Sequence, residues 1–242
     1  MSSIKNVYIL ASKMMSQRKH LDVVGNNVAN VNTNGYKKME MDFSSLVSKK
    51  NGTDVGVFVK QEPLRIDFSA GNLAQTQNPL DMALHGEGMF AVNVNGATEY
   101  TRNGHFLLDG EGNLITEQGH PVLDGNFAAI NIPAGAKQVT VTKEGTIATE
   151  NGPLVDIGVF NFTEDSDVIN VGQGRYRSSE TAIISETPHV LQGMLEDANV
   201  QAVEETVRLT ELMRSYQNAA QLISRVEEVE SRAVRDLSRI PN

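Results

Sequence analysis

The 242-residue chain is long enough for one large domain or two smaller ones, each with a core of its own. It has no cysteine, which excludes disulfides, thiolate nucleophiles and Cys-ligated metals together. The net charge of −9 is unevenly placed: the first 50 residues hold eight of the 21 Lys and Arg but only three of the 30 Asp and Glu, so a basic arm of +5 precedes an acidic body of −14. That arm offers Tyr8, Tyr36 and Phe43 as its aromatic side chains, too few to interleave stacking rings with cations, and nucleic acid is excluded as a partner. A basic arm on an acidic body suits the steering of one subunit onto another.

The N-terminal segment from Ile4 to about Val31 reads as a helix. Apolar residues recur at Val7, Leu10, Met14, Leu21, Val24, Val28 and Val31 in alternating steps of three and four, with Gln17 in the one polar slot. That is a narrow heptad seam. Lys5, Lys13, Arg18 and Lys19 interrupt the apolar positions of Met1 to His20, so no secretory h-region is visible there. The helix runs out in an Asn-rich stretch, where Asn26, Asn27, Asn30 and Asn34 fall near one helical stripe before Gly35 and Tyr36. Asn is a poor interior helix former because its amide competes for nearby backbone groups. Two readings stand: a local helix end, closed by Thr33-Asn34-Gly35, or a row of amides reserved for the backbone of a neighbouring chain.

Residues 36–75 mix turns with β-like runs and read as a semi-extended connector. From 76 to 193 the chain is β-rich. Met89 to Val94 alternates, Asn95-Gly96 turns, and Thr98 to Tyr100 returns; Phe106 to Leu108 and Leu114 to Thr116 flank Asp109-Gly110-Glu111-Gly112-Asn113. Such Gly and Asn pairs between short strands mark hairpins, because both residues accept positive φ cheaply, so an antiparallel β domain is expected. The final segment, 194–242, reads as a long helix, uninterrupted by Gly or Pro from Gln201 to Ile240. Its seam runs Leu209, Leu212, Tyr216, Ala219, Ile223, Val226, Glu230, Ala233, Leu237 and Ile240, and a second apolar line through Val203, Val207, Met213, Ala220, Val229 and Val234 broadens the face. The fold class is therefore α+β, with long N- and C-terminal helices forming a coiled-coil core region and a central antiparallel β domain.

Candidate chemistry is sparse. His85, His105, His120 and His189 could be set beside Glu87 or Asp109 as metal ligands, but no pair has the close spacing that preorganises a site on one element. The 109–113 turn resembles the start of a calcium loop, yet position twelve would be His120 where a bidentate Glu is required. Gly86-Glu87-Gly88 mimics a dinucleotide fingerprint but leads into a strand rather than a helix, and no nucleophile elbow accompanies the Ser, His and Asp residues. No enzyme activity, cofactor, metal or small-molecule substrate is expected. A β module that binds carbohydrate or peptide, carried on a helical dimerisation stalk, remains the rival from another class.

The Asn stripe also carries a resemblance. Leu21 to Ala29, Asn30 and Thr33-Asn34-Gly35-Tyr36-Lys37 closely resemble the N-terminal signature of flagellar rod and hook proteins. Three more stretches resemble that family in order: Asn78 to Leu84 with Gly86 to Phe90; Tyr100-Thr101-Arg102-Asn103-Gly104-His105-Phe106 with Gly112 to Leu114 and Gly119 to Val122; and Leu191 to Glu196 with Asn199-Val200 and Val203 to Glu205. Departures are mild: Met89, Ala198 and Thr206 stand where the family usually has Phe, Ser and Met. Length and the Pro121-Val122-Leu123 continuation look more like the proximal-rod members than the distal-rod members. The resemblance implies a structural subunit that contacts other rod proteins and copies of itself. The two seams, the Asn stripe with Gly35 and Tyr36, and the junction residues Asn199 and Val200 would form its interfaces. It further implies export by the flagellar type III apparatus without a cleaved signal, and assembly in the periplasmic rod of the basal body.

Overall fold

The computed structural model describes the backbone of residues 2–50, 53–133, 135–136, 138–163, 168–180 and 182–237. Side chains are described for 10–41, 64–133, 135–136, 138–163, 168–180, 182–229 and 231–232. Helix α1 spans Ser2–Ala29, and strands β1 (Met39–Lys50) and β2 (Thr53–Ile66) pair with each other. Then come β3 (Leu73–Gln75), β4 (Met82–Leu84), β5 (Met89–Val94), β6 (Ala97–Thr101), β7 (Phe106–Leu108) and β8 (Leu114–Thr116). They are followed by β9 (Val139–Val141), β10 (Thr146–Thr149), β11 (Gly152–Asp156), β12 (Val159–Asn161), β13 (Val168–Gly172) and β14 (Arg175–Ser178). Last are β15 (Ile183–Ile184), β16 (Val190–Gln192), β17 (Met194–Glu196) and helix α2 (Ala202–Leu237). The class is α+β, and the strands of the second unit pair antiparallel.

The chain divides into two compact units. The first comprises Met1–Ala29, Met39–Arg65 and Gln201–Asn242; the second comprises Asn30–Lys38 and Ile66–Val200. The segment expected as an extended connector thus contains the β1–β2 pair, and the segment 194–242 opens on a strand before α2 begins at Ala202. Both differences have a local cause. Ser44, Ser45, Lys49, Lys50 and Pro63 break the period-two pattern that marks a strand in sequence, and Met194 to Glu196 is too short to show a period at all.

In the first unit α1 and α2 pack against each other. Asn27 meets Glu205 and Gln17 meets Ser215, so partners advance along α2 as they retreat along α1, and the pair is antiparallel. Gln17, the polar slot of the first seam, is thereby matched by a polar residue of the second helix, a device that fixes register.

The second unit is built on a six-stranded sheet in the order β13-β14-β6-β5-β12-β15. The hairpin β5–β6 turns at Asn95 and Gly96, whose φ values of 53° and 86° are those of a type I′ turn. The central strand β5 is covered on both faces. Phe90 and Val92 join a cluster with Met82, Phe106, Leu114, Val122 and Ile147, while Met89 and Ala91 join Tyr100, Leu123, Phe160 and Tyr176 on the other side. That double burial is why the run reads as four successive buried apolar residues. Gly104 sits so close to the β4 backbone that a Cβ would fall 1.6 Å from the Met82 carbonyl oxygen. Gly104→Ala is therefore expected to destabilise the second unit by about 3 kcal/mol, through overpacking that only a backbone shift relieves. Urea unfolding followed by circular dichroism checks it, and an unchanged midpoint would contradict the packing described.

Candidate interface site

Three of the quoted signature stretches converge in the second unit. Lys37, Arg102 and Glu196 are far apart in sequence, and each is at most 3% exposed. The Lys37 Nζ donates to Glu196 Oε1 at 2.7 Å, and the Arg102 guanidinium donates to Glu196 Oε2. Further hydrogen bonds surround the three charged groups. Lys37 Nζ also donates to the Ser69 carbonyl at 2.6 Å, the Gly71 N–H donates to Glu196 Oε1 at 2.8 Å, and Arg102 Nη2 donates to the Leu84 and Gly86 carbonyls at 2.7 and 2.6 Å, with Nη1 on the Gly88 carbonyl. One carboxylate thus serves two cations and one amide, the arrangement that lets charges persist in an apolar interior.

Burial alone pushes the Glu196 carboxyl up, but hydrogen bonds from Lys37 and the Gly71 N–H, together with the Arg102 charge, outweigh it and hold the group below its ordinary value. Burial also lowers Lys37, and Glu196 opposes that shift. Burial pushes the Tyr176 phenol up as well, so it stays neutral and its oxygen accepts from the Lys37 N–H at 3.0 Å.

The backbone is tied at the same place. The Gly35 N–H donates to the Glu196 carbonyl at 2.6 Å, and Gly35 has a φ of +67° with its α-carbon against the Arg102–Asn103 peptide, where a Cβ would come within 2.4 Å. Only glycine satisfies both conditions. Asn199 bridges further: its Oδ1 accepts from the Lys38 N–H at 2.7 Å and its Nδ2 donates to the Asp67 carbonyl at 2.8 Å. Gly35, Tyr36, Val200 and Asn199, all expected at a subunit interface, are thus held by their own chain; Tyr36 is 2% exposed and Val200 8%.

The first unit has a second polar centre. Asn27, 1% exposed, makes both halves of a backbone-like pair with Met39: its Nδ2 donates to the Met39 carbonyl at 2.9 Å and its Oδ1 accepts from the Met39 N–H at 3.0 Å. The same Nδ2 reaches Glu205 Oε2 at 3.3 Å, and Arg208 meets the other Glu205 oxygen at 3.3 Å. Burial, and then the Arg208 charge, lower the half-buried His20. The amide of Asn27 is therefore engaged by this chain's own backbone, where the sequence leaves open a local helix end or the backbone of a neighbouring chain. Asn30 belongs to the turn after α1, where its carbonyl accepts from the Thr33 N–H at 3.0 Å and its side chain accepts from the Thr33 hydroxyl. Asn26 donates back to the Asp22 carbonyl at 2.9 Å, and Asn34 lies half-buried in the turn before Gly35.

Of the seam residues, Val24 and Ala219 are buried, and Leu10, Met14, Leu21, Leu209, Leu212, Tyr216, Ile223 and Val226 are half-buried. The side chains of Val7 and Leu237 lie outside those described. Of the second apolar line, Val203 is 79% exposed, Val207, Met213 and Val229 are also open, Ala220 is half-buried, and the side chain of Val234 lies outside those described; Leu222, beside that line, and Met15 on α1 are open as well. Exposed apolar residues along a paired-helix unit mark an element suited to being covered by a partner.

Comparison with known proteins gives that element its class. Residues 8–37 match the family described as flagella basal body rod protein, residues 83–149 the flagellar hook protein FlgE/F/G D1 domain, and residues 191–236 the flagellar basal body rod FlgEFG protein C-terminal. The flagellar basal-body rod protein FlgF of Caulobacter vibrioides is 33% identical over 240 residues, covering 97% of this chain and 98% of its own. FlgF of Mesorhizobium japonicum is 28% identical, over 96% of this chain and 97% of its own, and FlgG of Agrobacterium fabrum is 29% identical, over 92% and 95%. The chain belongs to the flagellar basal-body rod proteins. It is a structural rod subunit of the FlgF-like kind, as the signature motifs implied.

Sequence reasoning quoted Lys37, Arg102 and Glu196 within motifs but gave them no role. Each is a lone charge on a short segment, and no spacing rule links them; buried charge needs a partner, but only the fold says which one. Glu196→Gln leaves two cations short of their counter-charge and is expected to cost about 3–5 kcal/mol of stability. Because the folded Glu196 pKa is depressed, its contribution is present above the ordinary carboxyl value of 4.5 and is lost as pH falls through the folded value. The wild-type chain should therefore lose stability below about pH 4.5 more steeply than Glu196→Gln does. Denaturant melts at neutral and acid pH check both, and equal stability of the two proteins at neutral pH would contradict the cluster's role.

Proposed function

We propose that the chain polymerises into the flagellar rod through the unit formed by its terminal helices, and that it acts as a non-enzymatic element of the shaft that transmits torque. The observation that carries this reading is the exposed apolar line of α2. Val203, Val207, Met213 and Val229, with Leu222 beside them, stay open to solvent while the adjoining seam is partly covered within the chain. A contact between that line and a different surface of the next subunit is heterologous, and heterologous contacts that do not close generate helical filaments. In this reading coiled-coil packing of α1 and α2 continues from one subunit to the next, and the partners are copies of this chain and other rod and hook proteins. The basic first 50 residues and the acidic remainder assist docking by charge.

The rod lies in the periplasm in this reading, and the subunit reaches it through the flagellar type III export apparatus without a cleaved signal. The absence of cysteine suits an oxidising compartment. A proximal position accords with the alignments: the FlgF relative from Caulobacter aligns over 240 residues, near this chain's own 242, whereas FlgG of Agrobacterium fabrum aligns over 254 and so requires additional residues.

Val207 and Leu222 are exposed, so Val207→Asp with Leu222→Asp should leave the monomer's stability within about 1 kcal/mol while preventing its recovery in purified basal bodies and abolishing swimming. Leu212→Asp and Ile223→Asp, on the half-covered seam, should also block incorporation while the second unit stays folded. Quantitative mass spectrometry of basal bodies from a complemented null strain reads the outcome. Wild-type rod occupancy in the Val207/Leu222 double variant would contradict the proposal.

A further inference from the structure

Strands β4 and β16 end on two histidines. The strands pair antiparallel with Leu84 opposite Val190, so the next residues outward, His85 and His189, face each other across the ladder. The His85 N–H donates to the His189 carbonyl at 2.8 Å, which places both side chains on one face. Their ring centroids lie 5.2 Å apart with planes inclined by 66°, and both residues are exposed. A tetrahedral cation holding two imidazole nitrogens at about 2.0–2.1 Å sets the ring centroids roughly 5 Å apart. The pair therefore stands at chelating separation with its backbone already fixed by the ladder.

A turn carrying one lysine and one glutamate lies alongside. The Val190 N–H donates to the Lys143 carbonyl at 2.8 Å, bringing the 143–144 turn alongside β16. Glu144, fully exposed, is held below its ordinary value first by its own backbone N–H and the Thr142 hydroxyl, with Lys143 and His189 adding to the effect. It therefore offers negative charge beside His189. The other described histidines are differently placed: His105 Nδ1 is 2.7 Å from Asp81, His120 Nε2 is 2.8 Å from Arg175, and His20 is half-buried beside Arg208.

We propose that His85 and His189 form a cross-strand chelate site for a divalent transition-metal cation of the zinc class. Imidazole nitrogen suits such ions. No group of three or more His, Asp or Glu side chains that could hold a metal occurs among the described residues, so water completes the coordination and Glu144 acts as a neighbouring anion. The cation links β4 to β16 and, because it binds only when the strands are paired, stabilises the folded unit by mass action.

The test is calorimetric titration of the full chain with ZnCl2 near neutral pH, with melting curves in the presence and absence of zinc. A single saturable site is expected, with a raised melting temperature. His85→Ala and His189→Ala each weaken binding by about tenfold or more, since a single imidazole no longer chelates. His105→Ala and His120→Ala leave it unchanged. Proton NMR of the imidazole Cε1–H signals of the wild-type chain gives an independent readout, with zinc shifting those of His85 and His189 alone. Absence of saturable binding, unchanged affinity in both His85→Ala and His189→Ala, or zinc-dependent shifts confined to other histidines would overturn the proposal.

Discussion

The fold of the second unit depends on one carboxylate. Glu196 lies between Lys37 and Arg102, with the Gly71 N–H on one of its oxygens. A buried ion pair contributes little net stability relative to a well-packed apolar alternative, because desolvation offsets most of the attraction. Its directional demand is strict, however: each cation must meet the carboxylate and its own set of carbonyls at the same time. Arg102 can donate to the carbonyls of Leu84, Gly86 and Gly88 only if the loop between β4 and β5 curls round the guanidinium. Lys37 can reach Glu196 only if the chain has already turned at Gly35. The cluster therefore specifies where residues 30–38 run and where the chain stands just before α2.

The first unit uses the same principle with a neutral group at its centre. Asn27 gives and accepts a hydrogen bond with Met39, completing the start of β1 as another strand would, while its amide also contacts the buried Glu205 of α2. An asparagine near the end of a helix is costly as a helix former, and here that cost is offset by joining three elements. In both units the polar interior fixes geometry, and much of the apolar surface of α2 faces outward.

The α+β class was legible because its signals are local. The terminal helices follow from steps of three and four, and the β5–β6 hairpin follows from Asn95-Gly96 between alternating runs. The β1–β2 pair was read as a connector since serines, lysines and Pro63 blur its period, even though Asn51-Gly52 separates the two strands in the sequence. Pairings between distant residues were not legible. Nothing in the spacing of Lys37, Arg102 and Glu196, or of His85 and His189, announces that they meet, because the topology decides it. The Asn stripe was correctly singled out as unusual for a helix. Sequence could not say that the backbone recognised by Asn27 belongs to its own chain, since an amide side chain is equally suited to either.

The most direct test of the claim that Glu196 locks residues 30–38 into the second unit is native-state hydrogen exchange on the full chain. The Gly35 and Lys37 amides, which donate to the Glu196 carbonyl and the Tyr176 hydroxyl, should exchange with the same opening free energy as core amides such as Met82 and Leu123. All four should be lowered together in Glu196→Gln. Exchange of Gly35 and Lys37 at much lower free energy than the sheet, or no response of these amides to that substitution, would contradict it.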